Sequence, residues 1–117
     1  MHLFEVLANS VLVGYTEFEC GDPPMGVAFG AFLPIAAYAS VKEAIVQGEG
    51  RELEGMCLAA RVTATGQEVE CQAGVHIADH SAEFGPEGLE VTALGIGYPL
   101  YSELFPQHVD AYENQFK

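Results

Sequence analysis

The sequence predicts an α+β fold: an antiparallel sheet of two hairpins plus one further strand, packed by one central and one C-terminal helix. Three observations carry this reading. Two pairs of runs rich in β-branched and aromatic residues are each split by a short turn-forming stretch. A further apolar alternation, Leu89 to Ile96, stands alone as a strand. Apolar residues recur at helical spacing after Pro34, up to Gly48, and again after Pro106. A small β-barrel with flanking helices is the alternative arrangement of the same elements. At 117 residues the chain reads as a single domain, residues 1–117, with one core.

The first hairpin is expected from Leu3–Leu7 and Val11–Glu19, joined by Ala8-Asn9-Ser10, because asparagine tolerates the left-handed backbone of a tight turn. In the second of these strands Val11, Val13, Tyr15, Glu17 and Glu19 share a face that changes from apolar to acidic, so the strand should leave the core as it runs. The stretch Cys20 to Pro34 is a shaped connector. Pro23 and Pro24 fix φ and donate nothing to a ladder, Asp22 is pushed to extended geometry by the proline after it, and three glycines relax the backbone elsewhere. Within it, Val27 to Leu33 reads as a short strand or an extended loop, with Val27, Phe29, Ala31 and Leu33 on one side.

A helix over Ala36 to Gln47 follows, with Ala37, Tyr38, Val41, Ala44 and Ile45 inward and Lys42 and Glu43 outward. Gln47 to Gly55 is polar and glycine-rich, hence a surface loop. Met56–Thr65 and Glu68–Ala78 form the second, longer hairpin around Gly66-Gln67, with Cys71, Ala73, Val75 and Ile77 on its buried face. Asp79 to Gly88 is a loop by composition. After the Leu89–Ile96 strand come two proline-led segments, Pro99–Phe105 and Pro106–Phe116, the second carrying Val109, Tyr112 and Phe116 as a docking stripe.

Charge narrows the function classes. Seventeen acidic residues against four basic ones give 4 − 17 = −13, a surface that repels nucleic-acid phosphates and anionic lipid, so neither nucleic acid nor membrane is an expected partner. A basic protein partner stays open. Cys20, Cys57 and Cys71 are odd in number and lack C-x-x-C spacing, which speaks against a disulfide framework or a structural zinc site and fits a reducing compartment. The N-terminal residues have no basic stretch leading into an apolar segment, so a cytoplasmic location is expected. No cofactor is implied.

No reactive signature is complete. His76-Ile-Ala-Asp-His80 sets two imidazoles four residues apart with Asp79 beside them, a partial metal-ligand set that equally well ends a strand and begins a solvated loop. Glu17, Glu19 and Asp22 cluster where the connector begins, close enough for an acid/base pair if a cleft desolvates them. The glycines of the connector lack the lysine and the βαβ setting of a phosphate loop, and Ser81 and Ser102 sit in no nucleophile elbow. Aromatic residues in proline- and glycine-flanked segments are more telling. Asp22, Pro23, Pro24, Phe29, Phe32, Tyr98 and Tyr101 are the candidate ligand or interface residues. The reading that follows is a small acidic, non-catalytic interaction or regulatory module, most simply a homodimer. The alternative is a small enzyme or ligand-binding protein with a pocket between the Asp22-Pro23-Pro24 connector and the His76–His80 segment, metal-dependent through His76, Asp79 and His80.

Overall fold

The computed structural model describes residues 2–48 and 56–115. The fold is α+β and antiparallel, as the patterning predicts, but its strands divide between two four-stranded sheets and close into no barrel. Two layers bury two inner faces against each other, which one open sheet with two small helices could not do.

The first sheet is built on the predicted hairpin, β1 (Phe4–Ala8) and β2 (Val11–Thr16). Asn9 and Ser10 take φ of 51° and 69°, the two left-handed positions of its turn. The Asn9 carboxamide oxygen accepts the Cys57 N–H at 2.8 Å, and the Asn9 N–H donates to the Cys57 carbonyl at 2.8 Å. Those bonds tie the turn to the residue before β6 (Leu58–Val62), which pairs with β1. On the other side β2 pairs with β5 (Leu33–Pro34). The β1–β2 register shifts between Val6 and Leu7: Val6 faces Gly14 while Leu7 faces Leu12. Val13 is therefore a bulge, and Val13 and Gly14 are buried side by side, which simple alternation does not anticipate. Gly14 has no room for a side chain, since a Cβ there would lie 2.5 Å from the Leu33 carbonyl oxygen and 2.6 Å from the Phe32 ring.

The second sheet has the order β3 (Cys20–Asp22), β4 (Val27–Ala31), β8 (Leu89–Ile96), β7 (Cys71–Asp79). Reaching it corrects three expected segments. The strand expected over Val11–Glu19 stops at Thr16, whose hydroxyl accepts the Phe18 N–H at 3.1 Å, and Phe18 turns the chain across with φ of 44°. The Val27–Leu33 segment splits at buried Phe32, so that β4 and β5 belong to different sheets. The second hairpin starts as expected at Gly66, with Val62 N–H donating to the Gln67 carbonyl and Val69 N–H to that of Ala60 at 2.7 and 2.8 Å. Its arms then part: Val69 is buried, and β7 pairs with β8 instead of β6.

The central helix forms where expected, as a 3-10 turn at Ala36–Tyr38 continued by α1 (Ala39–Gly48), burying Tyr38 and Ile45 while Ala44 stays exposed. The loop expected over Gln47–Gly55 lies largely outside the described residues. The stretch read as a loop from Asp79 to Gly88 instead ends β7 at Asp79 and forms α2 (Ser81–Phe84) and a 3-10 turn. Two further helices, α3 (Leu100–Leu104) and α4 (Pro106–Asn114), follow β8. On α4 the buried side chain is His108, with Val109 and Tyr112 half-buried. Phe116 lies outside the described residues. One apolar cluster joins both sheets and the helices. At its centre Phe4, Phe18 and Phe105 meet with ring centroids 4.9 to 6.0 Å apart. No helix among the described residues is long and apolar enough to cross a membrane.

Candidate interaction site

The connector is anchored from both sides. Pro23–Met25 makes a 3-10 turn closed by Gly26, whose φ of 65° suits glycine, and the Gly26 carbonyl accepts the Ile96 N–H at 2.8 Å. The Tyr98 hydroxyl donates to the Pro23 carbonyl at 3.2 Å, and that of Tyr101 to the Val27 carbonyl at 2.9 Å. A groove of about 600 Å³ runs along β3, between that strand and α4. Asp22, Pro23 and Phe29 form its connector wall, and His108 and Ala111 belong to the helix wall.

His108 is the functional candidate that the sequence reading missed. Its Nε2–H donates to the Phe18 carbonyl at 2.7 Å, and its ring stacks on Phe105 at 5.3 Å. A carbonyl only accepts, so Nε2 carries a proton. Gly21 makes room for the ring: a Cβ there would stand 2.7 Å from the His108 Cδ2 and would collide with the Tyr101 hydroxyl. The available signal was the spacing Phe105–His108–Tyr112, a helical stripe one residue out of step with the one based on Val109.

Of the predicted interface residues, Asp22, Pro23 and Phe29 come together in this groove, and Tyr98 reaches them through the Pro23 carbonyl. Pro24 is exposed beside Met25, on the turn. Phe32 and Tyr101 do not belong to a surface. Phe32 is 1% exposed, packed edge-on against Tyr38 at 5.0 Å, and Tyr101 is fully buried against Phe105. Both sit where the chain must close over the core, so their glycine and proline neighbours turn them inward instead of presenting them.

His76, Asp79 and His80 do not converge. Alternation along β7 puts Asp79 on the inner face and His76 on the outer one, where its Nε2–H donates to the Ala73 carbonyl at 2.9 Å, while His80 is exposed at the start of α2. Among the described residues no three His, Cys, Asp or Glu side chains form a group that could hold a metal ion. In the second sheet β4 and β8 lie between β3, which carries Asp22, and β7, which carries His76 and Asp79. Glu19 is also committed in part: one of its oxygens accepts the Ala31 N–H at 2.9 Å.

Asp79 belongs to a buried latch. It accepts the Tyr38 hydroxyl at 2.6 Å, the Ser81 hydroxyl at 2.5 Å and the Ser81 N–H at 2.9 Å. Burial alone would raise its pKa, but the bonds from Ser81 and Tyr38, together with the charge of Lys42, hold the carboxyl below the usual carboxylate range. Burial first, and then the bond to Asp79, pushes the Tyr38 phenol well above its ordinary value. A neutral donor and a charged acceptor fixed in this way join the start of α1 to the end of β7.

The outer face of the second sheet completes the site. Cys20, Phe29, Thr92 and His76 stand in register across its four strands. Val27 and Leu94 on one side of that row, and Ala31, Glu90 and Ala78 on the other, share the face by alternation. Phe29, Val27, Leu94, Thr92, His76 and Ala78 are half-buried; of the carboxylates on this face, Asp22 stands on the edge strand and Glu90 between Ala31 and Ala78. No family model matches the chain, and neither a curated protein nor a solved structure matches it.

Proposed function

We propose that this chain is a non-catalytic interaction module that self-associates through the outer face of its second sheet. The supporting observation is the contrast between a chain of net charge −13 and a group of Val27, Phe29, Thr92 and Leu94 on this face, flanked by its two carboxylates, Asp22 and Glu90. Two copies repel each other everywhere except where acidic side chains are missing. A two-fold pairing of this face with itself covers the apolar surface. The buried Tyr38–Asp79–Ser81 set serves as a latch, which favours the interaction reading over the enzyme reading.

Size sets the strength. With strands about 4.8 Å apart and same-face residues about 7 Å apart along each strand, the face measures on the order of 400 Å². A standard interface buries about 800 Å² per partner, so the dimer is weak, with a dissociation constant in the micromolar range or above. Like-charge repulsion opposes it, and salt tightens it by screening. Sedimentation velocity from about 1 to about 300 μM tests the reading. The sedimentation coefficient should rise with concentration, more so at high salt, and Phe29→Glu should stay monomeric without loss of thermal stability. A wild type that is monomeric throughout at high salt, or a Phe29→Glu protein that dimerises equally well, overturns it.

A further inference from the structure

We propose that the free edge of β3 and the groove beside it bind an extended basic segment of another protein, added as a fifth strand to the second sheet. This goes beyond self-association and uses the edge of the sheet instead of its outer face, although Cys20, Asp22 and Phe29 border both. β3 pairs with β4 on one side, and no backbone hydrogen bond from the rest of the described chain reaches Cys20, Gly21 or Asp22 on the other. A strand with one unpaired edge is a template for a further strand. Natural edges are commonly guarded by lysine, yet the residues here are Cys-Gly-Asp.

The groove's chemistry selects the occupant. Its volume of about 600 Å³ lies within the range of ligand sites. Asp22 brings an exposed carboxylate, and Glu19 a second one whose other oxygen is already bonded. His108 is 7% exposed and lines the groove, with its Nε2 committed to Phe18. The carboxylates accept, so the occupant must donate, and the field of −13 charges favours a cation. Phe29 and Pro23 supply apolar wall between these acceptors. An extended segment alternating lysine or arginine with apolar residues matches both. A second copy of this chain does not: it has four Lys and Arg in all, with Lys42 on a helix and Arg61 paired to Glu5 at 2.8 Å.

The test titrates fluorescein-labelled acetyl-Lys-Val-Lys-Val-Lys-amide against the full chain at a few micromolar and low salt, which disfavour self-association, with sedimentation followed in parallel so that dimerisation and peptide binding are read separately. The peptide should bind with a dissociation constant of tens of micromolar and weaken with added salt. Amide signals of Cys20, Gly21 and Asp22 should shift on binding. N-methylation of the peptide's backbone should weaken binding at least about tenfold, since the added strand loses its ladder bonds. Asp22→Asn should weaken it about threefold or more, and Ala111→Trp, which fills the groove from an exposed helix position, should abolish it. Equal binding by the N-methylated peptide reduces the effect to charge adhesion and overturns the proposal. So does undiminished binding to Ala111→Trp, and so does a parent peptide that fails to bind at about 1 mM.

Discussion

The two faces of the second sheet are made of similar residues and meet different fates. Ala28, Val91, Ala93, Val75 and Ile77 point inward and are buried against the first sheet and the helices. Val27, Phe29, Leu94 and Ala78, on the same strands but the other side, are only half-buried. What separates the faces is the company each keeps: aromatic rings from Phe4, Phe18 and Phe105 join the inner core, while the apolar residues of the outer side stay half-buried and outside that cluster of buried residues. An antiparallel sheet normally shows water a polar face. Here the second face carries Val27, Phe29 and Leu94 as well, which is the basis of the proposed dimer.

Substitutions can break this comparison. The largest difference is expected between Ile77→Ala and Phe29→Ala. Ile77 is 2% exposed, and its truncation leaves a cavity costing about 2–5 kcal/mol, whereas Phe29 on the open face should cost less than about 1 kcal/mol in the monomer despite its larger ring. Denaturant midpoints at low protein concentration measure both, and comparable losses would mean that the outer face is covered within the monomer.

A smaller and pH-dependent effect comes from the polar exception on the inner side. Asp79→Asn removes the charge that receives the Tyr38 and Ser81 donors and should cost about 1–3 kcal/mol near neutrality. The folded-state pKa of Asp79 is depressed, so its contribution is present above the unfolded value of about 4 and is lost as pH falls through the folded value. The gap in melting temperature between wild type and variant should therefore hold from pH 7 to about 5 and close below about 4. A gap that widens on acidification would show that Asp79 is destabilising.

The smallest effect sharpens the comparison instead of breaking it. Thr92→Val, in the middle of the outer face, should change monomer stability by less than about 0.5 kcal/mol while strengthening the dimer, read as a lower dissociation constant in sedimentation. Weakened dimerisation would move the contact elsewhere.

Legibility from sequence followed the range of the interactions involved. The turn at Asn9-Ser10, the Leu89–Ile96 strand and the helix after Pro34 were readable because neighbouring residues decide them. The division into two sheets was not, because nothing local distinguishes β7 pairing with β8 from β7 pairing with β6. The bulge at Val13 likewise depends on which strand lies opposite. In the site, Asp22, Pro23 and Phe29 were legible as a shaped, aromatic-bearing connector. Phe32 and Tyr101 were misplaced because an aromatic beside glycine or proline reads the same whether it seals a core or faces water. His108 went unseen because its partner, Phe18, is 90 residues away in the chain.

The chain changes layer at Phe18, at Phe32 and after Val69, and this has a consequence for assembly. The residues up to α1 hold three strands of the first sheet and two of the second, and those after it hold the one and two that remain. No cut between these halves leaves a fragment owning a complete sheet. Separately produced halves would each carry exposed edges that fit only the other half, so the molecule is suited to split-protein complementation, and its two layers form together or not at all.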